Sequence, residues 1–143
     1  MSELSRFLKT NQIRRENTTY PATKSLTDEK GNPLLWTIKP ISTKEMNKIN
    51  ESCTVQKQVP GKPNQFRNEL DSTKAMVKMI VASVVEPNLN NKELQDSYGV
   101  MNPEDLVTEM INNPGEFYNF GAFINKFNGF EEGLTEKVEK AKN

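Results

Sequence analysis

Hydrophobic and polar residues follow several different rhythms along this chain, and each rhythm predicts an element. From Thr18 to Leu26 they alternate weakly; TDEKGN then supplies turn chemistry, and PLLWTIKPI follows with Leu34, Trp36 and Ile38 on one side. Alternation interrupted by a Gly-Asn turn is the pattern of a β-hairpin with one buried face. Pro21 and Pro40 lack the amide hydrogen a ladder needs, so they mark strand ends or sheet edges. Upstream, SELSRFLK either places Leu4, Phe7 and Leu8 on one face of a short helix capped by Ser2, or carries them on a mobile arm.

Beyond Pro40 the rhythm becomes helical. Ser42-Thr43-Lys44-Glu45 has capping-box spacing, in which the serine oxygen accepts from a free amide and the glutamate reaches back. Met46, Ile49 and Cys53 then share the buried face of the helix that starts there. VQKQVPGKPNQFRNEL, residues 55–70, alternates on both sides of a Pro-Gly turn and reads as a second hairpin or an exposed loop. Asp71 caps a helix through residues 72–86. Lys74 and Lys78 lie on one side of it, Met76, Met79, Ile80, Val84 and Val85 cover most of the rest, and Pro87 stops it. The β-branched content of that stretch leaves a strand reading open.

The C-terminal half is punctuated by caps. Asn91 opens KELQDSY and Gly99 ends it, while Asn102-Pro103-Glu104-Asp105 gives a cap, a first-turn proline and first-turn acids. Leu106, Val107, Met110 and Ile111 form the apolar face that follows. Asn113-Pro114-Gly115-Glu116 repeats the start signal, and Asn128-Gly129 supplies a left-handed stop. The fold class expected is α+β and predominantly helical, an N-terminal β-hairpin followed by a compact bundle of four to five short helices. Residues 1–130 form one domain, with 1–16 as the short helix or arm. Residues 131–143, highly charged with Leu134 and Val138 as their only large apolar residues, form a flexible tail.

Composition narrows the chemistry. Lys plus Arg and Asp plus Glu number 19 each in 143 residues, so no positive excess is available to neutralise a run of phosphates, and nucleic acid is not an expected partner. With no histidine and one cysteine, Cys53, the chain has no internal disulfide and no Cys-His or Ser-His-Asp nucleophile. The most apolar stretch, AMVKMIVASVV, is too short for a membrane span and contains Lys78, and the N-terminus has no signal-peptide core, so a reducing cytoplasm is the expected location. Glu104-Asp105 and Glu131-Glu132 are adjacent pairs whose side chains diverge by about 100 degrees on a helix, unlike paired acid-base carboxylates. Phosphate loops, calcium loops and zinc motifs are missing, so the expectation is no enzyme, no cofactor and no metal.

FYNFGAFINKFNGF, residues 117–130, holds five of the seven phenylalanines. Phe117, Phe120, Phe123, Ile124, Phe127 and Phe130 project within an arc of roughly 140 degrees on a helix. The bland reading is core packing against the apolar helix of residues 72–86, with Gly121 and Ala122 allowing close approach elsewhere. The sharper reading is a partner groove, because so much aromatic surface exceeds what one helix of a small domain needs. Leu106, Met110, Phe117, Phe120, Phe123 and Phe127 are the candidate partner-binding residues. Met76, Met79, Met101 and Met110 would let such a surface adapt.

The succession of LSRFLK, DEKGNPLLWTIKPIS, a capped helix, an apolar helix ending VVEPNL, LQDSYGVMNPEDLVTEMI and the aromatic helix resembles the XkdN-like phage tail assembly chaperones of phages and prophages of Gram-positive bacteria. The resemblance runs from about Leu4 to Gly133. Its most telling pieces are Gly31 through Trp36 to Lys39, Glu86 to Leu89, and Leu94 through Gly99 to Pro103 with Leu106. It implies a non-enzymatic chaperone of the host cytoplasm that binds the tape measure protein until the tail tube polymerises around it, and that is absent from the mature virion. The tail tube protein is a second candidate partner, and self-association is left open. The alternative implied is a structural or adaptor protein retained in the tail.

Overall fold

The computed structural model describes residues 3–130. In chain order the elements are β1 (Thr18–Tyr20), β2 (Trp36–Ile38), α1 (Thr43–Ser52), β3 (Thr54–Val59) and β4 (Lys62–Leu70). They continue with α2 (Ser72–Ser83), β5 (Val84–Glu86), α3 (Lys92–Ser97), α4 (Pro103–Met110) and α5 (Pro114–Phe127). Two 3-10 turns, Leu4–Phe7 and Lys9–Asn11, precede them.

The expected hairpin is present. Tyr20 faces Trp36 and Thr18 faces Ile38 across an antiparallel pair. In the connecting turn Asp28 Oδ1 accepts from Lys30 N and Asn32 N at 2.8 and 3.0 Å, and Gly31 takes the positive φ of 83° that such a turn requires. Trp36 and Ile38 point into the core, but Leu34 does not share their face: it is exposed beside the lone bridge between Thr27 and Pro33, ahead of the regular strand. Pro21 and Pro40 fall just outside the strands, consistent with the missing donor.

The apolar helix is shorter than its periodicity predicts. It ends at Ser83, and Val84–Glu86 continue as β5, which pairs antiparallel with β2 and completes the order β1-β2-β5. A β2 edge left open would hold unpaired backbone groups beside a buried face, and the β-branched Val84 and Val85 suit a strand better than a final helical turn. Ser83 accepts at its carbonyl from Lys39 N at 2.8 Å, which stitches the corner between α2 and the sheet.

Each helix begins where the sequence places a cap. Ser42, Asp71, Asn91, Asn102 and Asn113 all accept, through their side chains, from the backbone amide three residues on, and Ser42–Glu45 completes the reciprocal capping box. The core lies between the sheet and helices α2, α4 and α5, centred on Trp36, Ile38, Met79, Ile80, Leu106 and Phe120.

Residues 55–70 form a hairpin, and it stands away from that core. Strands β3 and β4 pair from Thr54–Leu70 to Gln58–Phe66, and nearly every side chain on both faces is exposed. The expected tail, residues 131–143, lies outside the described residues.

Candidate partner-binding site

Helix α5 organises the molecule because its three faces do three different jobs. Its central face is core: Phe120 and Ile124 are fully buried, and Phe117 is nearly so. Phe120 stacks on Tyr20 at 5.5 Å between ring centroids and meets Trp36 edge-on at 5.7 Å. The middle of the aromatic stripe therefore packs on the sheet. What α2 meets is Gly121, where a Cβ would come within 2.8 Å of the Met76 sulfur. The close approach expected of this glycine is made against the helix that the phenylalanines were expected to cover. Bulky rings fill the wider gap to the sheet, while the narrow helix–helix contact needs a residue with no side chain.

The flank of α5 toward β1 is an aromatic shelf. Phe123 stacks on Tyr20 at 4.2 Å and lies parallel to Phe127 at 6.2 Å, and all three rings are half-buried. Of the six residues expected to bind a partner, Phe123 and Phe127 keep accessible surface here. Leu106, Met110, Phe117 and Phe120 are committed to the core, at exposures from 0% to 9%, and face no partner in this conformation. Periodicity marks all six as apolar-face residues but does not say which part of the face the sheet covers.

The opposite flank opens on a groove between α1, α2 and the end of α5. Met79 and Ala75 form its floor, the half-buried Met46 and Met76 its walls, and the exposed Leu70 and Phe130 its ends, around a volume of ≈ 220 Å³. An adjoining depression of ≈ 150 Å³ shares Met46, Met79 and Phe130 with it and extends to Arg15 and Ile41. Three methionines from two helices give the surface polarizable, unbranched side chains that repack easily around a foreign apolar chain. Met76 and Met79 are legible in the sequence as adaptable residues. Met101 is 93% exposed away from the groove. Met46, Leu70 and Arg15 escape sequence reasoning because their role depends on which helices become neighbours.

A polar clamp holds the far end of this groove. Arg15 donates to the Ile41 carbonyl at 2.6 Å and to Asn128 Oδ1 at 3.4 Å. Asn128 Oδ1 also accepts from Ile41 N at 2.7 Å, and its Nδ2 donates to the Ile124 carbonyl at 2.9 Å. One amide thus ties together the root of the N-terminal segment, the entry to α1 and the end of α5. At the other end, Leu70 connects the groove to the β3–β4 ribbon. By strand alternation Asn68 and Phe66 share its face, opposite Gln56 and Gln58. On the reverse face Lys57 and Glu69 form a salt bridge of 3.2 Å.

Several carboxylates have structural partners. Glu116 accepts from the Thr23 hydroxyl and from Lys24 N, both at 2.8 Å, pinning the segment after β1 to the start of α5. Asp105 accepts from Asn102 Nδ2 at 3.0 Å, and Glu45 belongs to the capping box. Cys53 is fully buried against Ser52, as its helical position predicts. Among the described residues no three His, Cys, Asp or Glu side chains converge as a metal site, and no helix is long and apolar enough to cross a membrane.

Comparison with known proteins agrees with the order of these elements. Phage-like element PBSX protein XkdN of Bacillus subtilis (strain 168) is 28% identical over 141 residues, covering 99% of this chain and 94% of the relative. The uncharacterized protein YqbN of the same organism is 29% identical over 141 residues, covering 99% and 93%. The crystal structure of the protein YqbN superposes with a TM-score of 0.74 at 24% identity, over 92% of this chain and 99% of that one, so the two share a fold. Residues 4–142 match the family of the phage XkdN-like tail assembly chaperone protein, nearly the whole chain, and the protein belongs to that family.

Proposed function

We propose that this protein assists tail assembly by binding the tape measure protein through the methionine groove, keeping it soluble in the host cytoplasm until the tail tube polymerises around it. The observation that carries this reading is the groove itself, a methionine-walled depression open to solvent and lined also by Asn50, Ser72 and Asn125, in a chain that belongs to a tail assembly chaperone family. A tape measure chain is long and helical and needs its apolar stripe covered along its length. An amphipathic helix laid between Met46 and Met76 would be covered on one side by the groove and flanked on the other by the amide-bearing face of the ribbon. Many weak sites along one client bind strongly together and are still displaced one at a time. No step in this role requires catalysis. Phe123 and Phe127, on the opposite flank of α5, are the second surface a client could use, and the tail tube protein is the partner that would displace the chaperone.

Co-expression with the tape measure protein of the same genome tests the proposal. The chaperone is expected to raise the soluble fraction of the client and to co-purify with it. Leu70→Glu or Met76→Glu should abolish both effects, and Phe127→Glu should leave them intact. The opposite pattern would move the site to the aromatic shelf, and no rise in solubility with the unaltered chain would overturn the assignment. Mass spectrometry of purified particles should find the protein missing; its presence would make it a structural or adaptor component instead.

A further inference from the structure

The groove has a second apolar feature at its mouth. Leu4, Phe7, Leu8 and Ile13 are 73%, 86%, 52% and 93% exposed, so the N-terminal segment leaves its large side chains in water. Among the described residues the core cluster and the partly buried residues around it begin at Tyr20, so these side chains take no part in it. Yet the segment is rooted beside the groove, because Arg15, clamped by Ile41 and Asn128, lines the depression that adjoins it.

We infer that residues 3–14 form an exchange arm whose apolar side chains dock in the methionine groove of a second copy of this chain, each copy giving its arm and receiving the other's. Three observations converge. The arm is already wound into 3-10 turns at Leu4–Phe7 and Lys9–Asn11, one hydrogen-bond register away from an α-helix. On an α-helix Leu4, Phe7 and Leu8 stand at i, i+3 and i+4 and make one apolar face, the form a groove between two helices accepts. Finally, the arm's root at Arg15 adjoins the groove, so two copies meeting at this face each present an arm to the other's groove. A two-fold exchange covers both arms and both grooves and leaves no unpaired surface to propagate a polymer. Eight large side chains and the groove surface they cover amount to on the order of 1,500 Å², within the range of specific interfaces.

If the groove also holds the client, the arm is its placeholder, and client and second copy compete; that clause rests on the proposed function, whereas the dimer does not. The test therefore omits the client. Sedimentation equilibrium of the full chain should show a monomer–dimer equilibrium, and Phe7→Asp should weaken it by about tenfold or more. Because Phe7 is exposed in the single chain, this variant should keep the circular dichroism of the parent, and its melting temperature at concentrations where both are monomeric. Oxidation of a Phe7→Cys, Met46→Cys double variant should give a dimer-sized species on a non-reducing gel, since Cys53 is buried and does not compete. A chain that stays monomeric up to its solubility limit, a dimer indifferent to Phe7→Asp, or a cross-link confined within one chain would each overturn the exchange.

Discussion

The half of the molecule built from β2, α4 and α5 and the half built from the N-terminal arm and the β3–β4 ribbon use the same kinds of side chain to opposite ends. Phe120 and Phe66 are the sharpest pair. The first is sealed between Tyr20 and Trp36 with no exposure, while the second stands on an isolated two-stranded ribbon at 60% exposure. A lone hairpin is marginal in water, and apolar rings left on one do little for the monomer. The difference teaches that burial energy is concentrated in one half, so the other half is free to meet partners.

Substitution by alanine at these two positions is the strongest way to break that comparison. Phe120→Ala removes a buried ring and both aromatic contacts, and should cost about 3–5 kcal/mol in urea unfolding. Phe66→Ala should stay within about 0.5 kcal/mol. If the two variants melt alike, the ribbon is covered in solution and the division fails.

A smaller effect sharpens the edge of the buried half. Glu116 is the polar bolt between the segment after β1 and α5. Glu116→Ala leaves the buried Thr23 hydroxyl with only Ser25, at 3.0 Å, and should cost about 1–3 kcal/mol. Glu116→Gln, which keeps acceptor oxygen but loses charge, should recover part of that. Equal loss in both variants would mean that the charge, not the hydrogen bonds, holds the bolt. Next in size comes the cap of α4: Asn102→Ala should cost about 1 kcal/mol, whereas the same exchange at the exposed Asn47, inside α1 and capping nothing, should be neutral or slightly stabilising.

The contrast between halves also explains what could be read without coordinates. All five helix starts were legible because a cap is a local device, with acceptor and amide three residues apart. The hairpin around Trp36 was legible for the same reason, through its Asp-to-Asn turn. What escaped depends on distant neighbours. Val84–Glu86 continue an apolar helical rhythm whose β-branched residues leave a strand open, and the edge of β2 decides for the strand. The phenylalanine stripe was correctly seen as apolar, but only the sheet decides that Phe120 is sealed and Phe127 is not. Met76 and Met79 were legible as adaptable residues, but the groove they line was not, because its other wall, Met46, comes from a helix whose neighbours no periodicity encodes.

Ser83 offers the smallest and most diagnostic effect. Its hydroxyl is fully buried at the end of α2 and has no hydrogen-bond partner among the described residues, while its carbonyl carries the Lys39 contact that turns the chain into β5. Alanine keeps the backbone bond and removes the orphaned oxygen, so Ser83→Ala should be neutral or stabilise by up to about 1 kcal/mol, raising the melting temperature by a few degrees. Valine at the same position keeps the corner apolar but adds volume to a closed site, and should destabilise. A gain with alanine and a loss with valine would locate the strain in an unpaired hydroxyl within a tightly filled corner. A loss with both would mean that the hydroxyl holds the helix-to-strand switch, and the corner would then rank with Glu116 among the polar ties of the buried half.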